Sequence, residues 1–197
     1  MKKAKVVIGN LIQDAKQFGA IAHGCNCFCR MGAGIALDVK NTFPQATAED
    51  YKTIPGDIRK LGNYTNAVQK WQDGTETNIF NLYTQFGHNP ADKPFVYPAF
   101  ELALKKLSSV ATLNDLSIGL PLIGYGLAGG ELETIIAIIF KELKENDVTI
   151  YVWEGEKNAI GLKEYIEELL TQLESNFALG SYVSKQIKDH KATKGLF

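Results

Sequence analysis

Two stretches a hundred residues apart constrain this chain more than anything else in it: Ala20 to Lys40, AIAHGCNCFCRMGAGIALDVK, and Gly119 to Glu133, GLPLIGYGLAGGELE. In each, an apolar extended run passes into a glycine-rich turn, and the turn gives way to residues with helical spacing. Gly32 and Gly34 let a backbone approach a ligand closely, and Ile35 to Phe43 supplies a helix whose first amides have no internal partner. An anion placed there gains from free N–H groups and from the helix dipole, about 0.3 to 1 kcal/mol for the dipole part when exposed. Gly124, Gly126, Gly129 and Gly130 offer a second cradle before a helix starting near Glu131. Two phosphate cradles in one chain point to a diphosphate.

Composition narrows the classes. At 197 residues, net charge -1 and 45% hydrophobic residues, the chain fits one globular domain with a full core, or one domain plus an appendage, and no basic stripe announces a nucleic-acid partner. Met1, Lys2 and Lys3 precede only a short apolar run broken at Gly9 and Asn10, and no segment approaches the roughly 20 apolar residues of a membrane span. A soluble, cytoplasmic protein without a membrane segment is expected. Cys25, Cys27 and Cys29 lie too close together to staple distant parts of a fold and read as cytosolic thiols.

Along the chain, strand-like and helix-like segments alternate. Lys5 to Ile8 and Gly19 to Asn26 read as strands, and Ile35, Val39 and Phe43 mark a helix that Pro44 ends or kinks, with a second short helix through Tyr51. Asn63 to Trp71 and Thr77 to Gln85 predict antiparallel strands around Asp73-Gly74. Gly87 to Pro94 is a loop, after which Ala99, Leu102, Ala103 and Leu107 share a helical face running to about Val110. The helix after the second cradle carries the stripe Leu132, Ile135, Ile136, Ile139, Phe140 and Leu143, and Val148 to Trp153 is the last strand. This alternation predicts a sheet covered on both faces and made mixed by the hairpin. Beyond Glu154, Leu162, Ile166, Leu169, Leu170 and Leu173 mark a helix that packs or seeks a protein partner, and Ser175 to Phe197 reads as a loose polar tail.

With His23-Gly24-Cys25-Asn26-Cys27, Met31-Gly32-Ala33-Gly34-Ile35-Ala36 and Pro121-Leu122-Ile123-Gly124-Tyr125-Gly126-Leu127 in order, the chain from about Lys5 to Trp153 resembles a macro domain. The resemblance is to the branch that acts on ADP-ribose 1″-phosphate. It implies an α/β fold, a three-layer α/β/α sandwich with a mixed central sheet over residues 1–154, followed by a C-terminal helical extension and tail over 155–197. It also implies ADP-ribose or its 1″-phosphate as ligand, no cofactor, and His23 and Asn26 as the catalytic pair. The ligand-binding positions implied are Asn10, Leu11, Gly24, Cys25, Met31, Gly32, Ala33, Gly34, Ile35, Ala36, Gln85, Phe86, Ile123, Gly124, Tyr125, Gly126, Leu127 and Ala128. Two departures argue against the glycohydrolase branches: no lysine occurs between Trp71 and Asp92, and Ala128 follows the second turn where an aspartate is the pattern. Where relatives place an acidic residue against the adenine amino group, this chain has Asn10, and Asp14 is a poorly placed substitute.

An imidazole with an ordinary pKa near 6.5 can move a proton at neutral pH, so His23 suits acid–base work; a hydrogen-bonded core histidine is the competing reading. Strand alternation sets Asn26 opposite His23 unless the backbone turns there. Positioned acid–base catalysis contributes about 10²- to 10⁴-fold, against up to about 10²¹-fold for efficient phosphomonoester hydrolysis, so slow turnover or binding alone is expected. A zinc reading of His23 with the cysteines fails on spacing, since residues two apart on a strand are separated by about 6.6 Å while zinc ligands sit about 2.3 Å from the metal. His88 and Asp92 could close over a distal ribose or be a solvated loop, and Tyr125 and Phe86 could enclose the ligand or simply pack.

Overall fold

The computed structural model describes residues 4–175, so the tail expected beyond Ser175 lies outside the described residues. Six strands form one sheet: β1 (Lys5–Gly9), β2 (Ala20–Asn26), β3 (Tyr64–Lys70), β4 (Glu76–Gln85), β5 (Ile118–Pro121) and β6 (Val148–Trp153). They lie in the order β1-β6-β5-β2-β4-β3, parallel throughout except for the antiparallel β3–β4 hairpin. The hairpin closes at Asp73-Gly74 as expected: Gly74 takes φ +85°, and the Asp73 carboxylate accepts from the Thr75 amide at 3.2 Å. Five helices cover the sheet: α1 (Gly34–Thr42), α2 (Pro44–Tyr51), α3 (Tyr97–Leu113), α4 (Leu132–Leu143) and α5 (Ala159–Ser175). Pro44 both stops α1 and occupies the first turn of α2, where its missing N–H leaves no gap in the ladder.

Side-chain alternation along the strands sorts two cores. From β2, Ala20 and Ala22 face a large core with Phe80, Leu82, Leu120 and Ile150 under α3, α4 and α5, whereas Ile21 joins Ile79, Val39, Phe43 and Ala46 under α1 and α2. The layers are therefore α/β/α, as the sequence implies. Leu102 departs from its expected apolar face and is 39% exposed. In α5, Ile166, Leu169, Leu170 and Leu173 are buried in the same core as the sheet, and the helix packs on α4, β1 and β6. The stripe that a protein partner would need is thus occupied by the chain's own core. Among the described residues, no helix is long and apolar enough to cross a membrane.

Candidate functional site

The strand order places the two glycine stretches side by side. β2 and β5 are parallel neighbours, and each ends at the same edge of the sheet. From β2 the chain turns to α1 on one face; from β5 it turns to α4 on the other. Adjacent strands whose connections leave in opposite directions open a crevice at their carboxyl ends, the usual place for a ligand in an α/β sheet. The end of β2 meets the second loop: a Cβ at Gly24 would lie 2.9 Å from Ile123 Cγ2, and 2.9 Å from Thr84 Oγ1 on β4.

The glycines divide into two groups. A Cβ at Gly32, Gly34 or Gly126 would meet nothing within 4 Å, so these positions face open space. Gly34 also holds φ +53°, at the first residue of α1. The N-cap, Ala33, offers no side-chain acceptor, which leaves the first-turn amides of Gly34, Ile35 and Ala36 pointing outward. Among the described residues, the amides of Gly126 and Leu127 donate to no backbone acceptor either. Gly124, Gly129 and Gly130 serve differently. A Cβ there would sit 2.4 Å from the Phe95 ring, 2.9 Å from Lys93 and 2.9 Å from Phe95 respectively, and the Gly130 amide donates back to the Gly124 carbonyl at 2.8 Å. The second cradle expected from four glycines is therefore built from one open glycine on three packing glycines.

Asn26 holds the first loop together. The β2–β4 register slips between Cys25 and Asn26, a bulge that turns the carboxamide into the loop. Its Oδ1 accepts from the amides of Phe28 (3.0 Å) and Arg30 (3.2 Å), and its Nδ2 donates to the Arg30 carbonyl at 2.7 Å. The side chain expected in the catalytic pair braces the loop, with one Nδ2 hydrogen left over.

His23 lies in the core at the carboxyl-terminal half of β2. The residue is 1% exposed, beneath α2, with Nε2 2.7 Å from Asn81 Oδ1. Asn81 donates its own amide to the Ala46 carbonyl (2.8 Å) and to Thr65 Oγ1 (3.0 Å), so His23 Nε2 is the donor of this pair. Burial lowers the imidazole pKa below 6.5, and the Asn81 hydrogen bond and the Asp50 charge offset that only partly. The ring is a buried hydrogen-bond donor, the arrangement of the competing core-histidine reading.

The remaining expected residues fall into three groups. Cys25, Met31, Leu11, Ile123 and Ala128 are buried and reach a ligand only through backbone; burial pushes the Cys25 thiol well up, so it is no ready nucleophile. Asn10, Gln85 and Phe86 are engaged locally: Asn10 accepts from the Ile12 amide (3.0 Å), Gln85 donates to the Gly87 carbonyl (3.0 Å), and Phe86 stands edge-on to Phe28. Asp14 accepts from the Tyr151 hydroxyl at 3.0 Å, and His88 lies against Phe28. Tyr125 and Leu127 remain open, 39% and 60% exposed. Sequence reading treated Trp153 only as a strand end. It is 64% exposed at the end of β6, level with Gly9 on β1, and an aromatic at the carboxyl end of a parallel strand was the signal available.

A cavity of about 520 Å³ adjoins the second loop, lined by Tyr125 and Gly130 and lying between the starts of α4 and α5. Glu131, Glu133 and Glu156 border it, a charge that repels a diphosphate, so the crevice is the better anion site. Among the described residues, no three His, Cys, Asp or Glu side chains are gathered to hold a metal ion.

No family model matches the sequence. The chain is 32% identical over 153 residues to the uncharacterized 17.5 kDa protein of the tk-vs intergenic region of Enterobacteria phage T4, covering 76% of this chain and 96% of that one. It is 26% identical to a macrodomain protein from Streptomyces coelicolor, over 76% of this chain and 98% of that one, with a TM-score of 0.59. Thermosipho africanus DarTG in complex with ADP-ribose shares the fold at 18% identity, with a TM-score of 0.68 over 86% of this chain and 46% of that one. The chain has the macrodomain fold, and the phage T4 protein is its relative.

Proposed function

We propose that the crevice binds ADP-ribose, with the diphosphate held between the first turn of α1 and the Gly126-Leu127 turn. The observation that carries this is the open space in front of Gly32, Gly34 and Gly126 on the turns that follow two neighbouring parallel strands. Strands lie about 4.8 Å apart, so β1 is about 10 Å from β5 and an extended dinucleotide-like ligand spans from one sheet edge to the middle. Trp153 and Asn10 then stand at the adenine end, and Tyr125 and Leu127 at the distal ribose. The complex of the Thermosipho protein with ADP-ribose supports the ligand class.

Hydrolysis of ADP-ribose 1″-phosphate is the activity expected from the sequence. That expectation relies on His23, and a buried, hydrogen-bonded imidazole weakens it, so recognition comes first in our reading. Calorimetry with ADP-ribose is the test: saturable binding at micromolar ligand supports the proposal, and no heat at millimolar ligand removes it. Phosphate release from ADP-ribose 1″-phosphate, assayed alongside, distinguishes a hydrolase from a binder.

A further inference from the structure

Beneath the first loop lies a buried polar cluster that ligand binding does not use. Lys60, 7% exposed, directs its ammonium at three acceptors: Asp50 Oδ1 at 3.2 Å, Thr53 Oγ1, and the sulfur of Cys29 at 3.1 Å. It also lies 4.3 Å above the Tyr83 ring, whose hydroxyl donates to the same Asp50 oxygen at 2.7 Å. The Asp50 pairing accounts for burial of the charge. It does not account for the sulfur. Cys29 is held in the left-handed region, φ +58°, between the two amides that Asn26 clamps, and its thiol turns inward, 3.4 Å from the Asp50 carbonyl. The other Asp50 oxygen, Oδ2, is buried without a hydrogen-bond partner.

The geometry points to an oxidative Cys29–Lys60 cross-link, in which one oxygen atom bridges Sγ and Nζ and ties the first loop to the 58–60 turn. A bridging oxygen fills the existing gap with less movement than a direct sulfur–nitrogen bond requires. The oxidant is hydrogen peroxide, and the steps balance. One peroxide converts the thiol to a sulfenic acid and leaves as water. Asp50 accepts the extra ammonium proton, and a second peroxide converts the amine to a hydroxylamine, again releasing water. The hydroxylamine oxygen then attacks the sulfenic sulfur; the S–O bond to nitrogen forms, the S–OH bond breaks, and the hydroxyl departs as water with the N–OH proton. Peroxide is little larger than water, and Cys29 neighbours exposed Arg30, so access needs local opening of the loop rather than unfolding.

The test is peptide mapping by mass spectrometry of the full chain after peroxide treatment. The expected product joins the tryptic peptide ending at Arg30 to one containing Lys60. The pair is heavier than its parts by one oxygen and lighter by two hydrogens, is uncut after Lys60, and is released by dithiothreitol. Lys60→Gln should instead give only sulfinic or sulfonic acid at Cys29. Should that variant fail to fold, the wild-type map alone decides. Four wild-type results overturn the proposal: a disulfide to Cys25 or Cys27, overoxidised but unlinked Cys29, a cross-link lacking the oxygen, or unmodified Cys29 beside oxidised Met31. None of these readouts depends on ADP-ribose binding.

Discussion

Gly126 and Gly124 are two residues apart in one turn, yet substitution by alanine should have opposite consequences. At Gly126 a new methyl meets nothing within 4 Å, so Gly126→Ala should leave stability within about 0.5 kcal/mol of the parent. The same methyl occupies the space through which the diphosphate would approach the turn. Losing one charge-assisted hydrogen bond of about 1.5–3 kcal/mol lowers ADP-ribose affinity by roughly 10- to 150-fold. At Gly124 the backbone has φ +92° and the methyl would lie 2.4 Å from a ring carbon of Phe95. Left-handed backbone costs about 1–2 kcal/mol and overpacking about 1–3, so Gly124→Ala should lose about 2–5 kcal/mol. Urea unfolding reads the first quantity and calorimetry with ADP-ribose the second. If Gly126→Ala binds ADP-ribose within about twofold of the parent, the diphosphate does not lie against this turn. If it unfolds as readily as Gly124→Ala, the division between open and packing glycines is wrong.

His23→Ala strands the Asn81 oxygen in the core and leaves a cavity, an expected loss of about 2–4 kcal/mol in urea unfolding. The pH dependence has a definite sign. The folded-state pKa lies below 6.5, so between that lowered value and 6.5 the unfolded chain binds more protons; the stabilisation is full above 6.5 and declines as pH falls. A parent chain with no greater acid sensitivity than His23→Gln over that window would contradict this. Asn26→Ala should accelerate hydrogen exchange at the Phe28 and Arg30 amides and cost about 1–3 kcal/mol; unchanged exchange there means the loop is held by something else. Trp153→Ala should weaken ADP-ribose binding by about 1–3 kcal/mol of stacking and leave ribose 5-phosphate binding unchanged. Equal loss for both ligands would place the indole away from the base.

Much of the architecture is local information. The apolar run of β2 and the Asp73-Gly74 turn announce strands and a hairpin, and the stripe from Leu132 to Leu143 announces a buried helix, because composition, period and turn chemistry are properties of neighbouring residues. The glycine motifs likewise announce loops that precede helices. What a sequence does not carry is which side of a strand ends up against which layer. His23 alternates onto the α2 face and is sealed there, a one-residue parity set by the sheet's register rather than by the histidine. Asn26 escapes that parity through a bulge that no residue type advertises.

The same limit governs the glycines, the helix after the last strand and the cysteines. Gly124 and Gly126 are chemically identical, and only the arrival of Phe95 from a distant loop makes one a packing position and leaves the other open. Leu162 to Leu173 could equally have served a partner, until the sheet's edge and α4 supplied a core for them. Cys29 and Lys60 stand 31 positions apart, and no local pattern joins them. Composition and periodicity thus determined the elements and their order, because those depend on neighbours along the chain. Tertiary packing decided which groups face the crevice, because that depends on atoms brought together from opposite ends of the sequence.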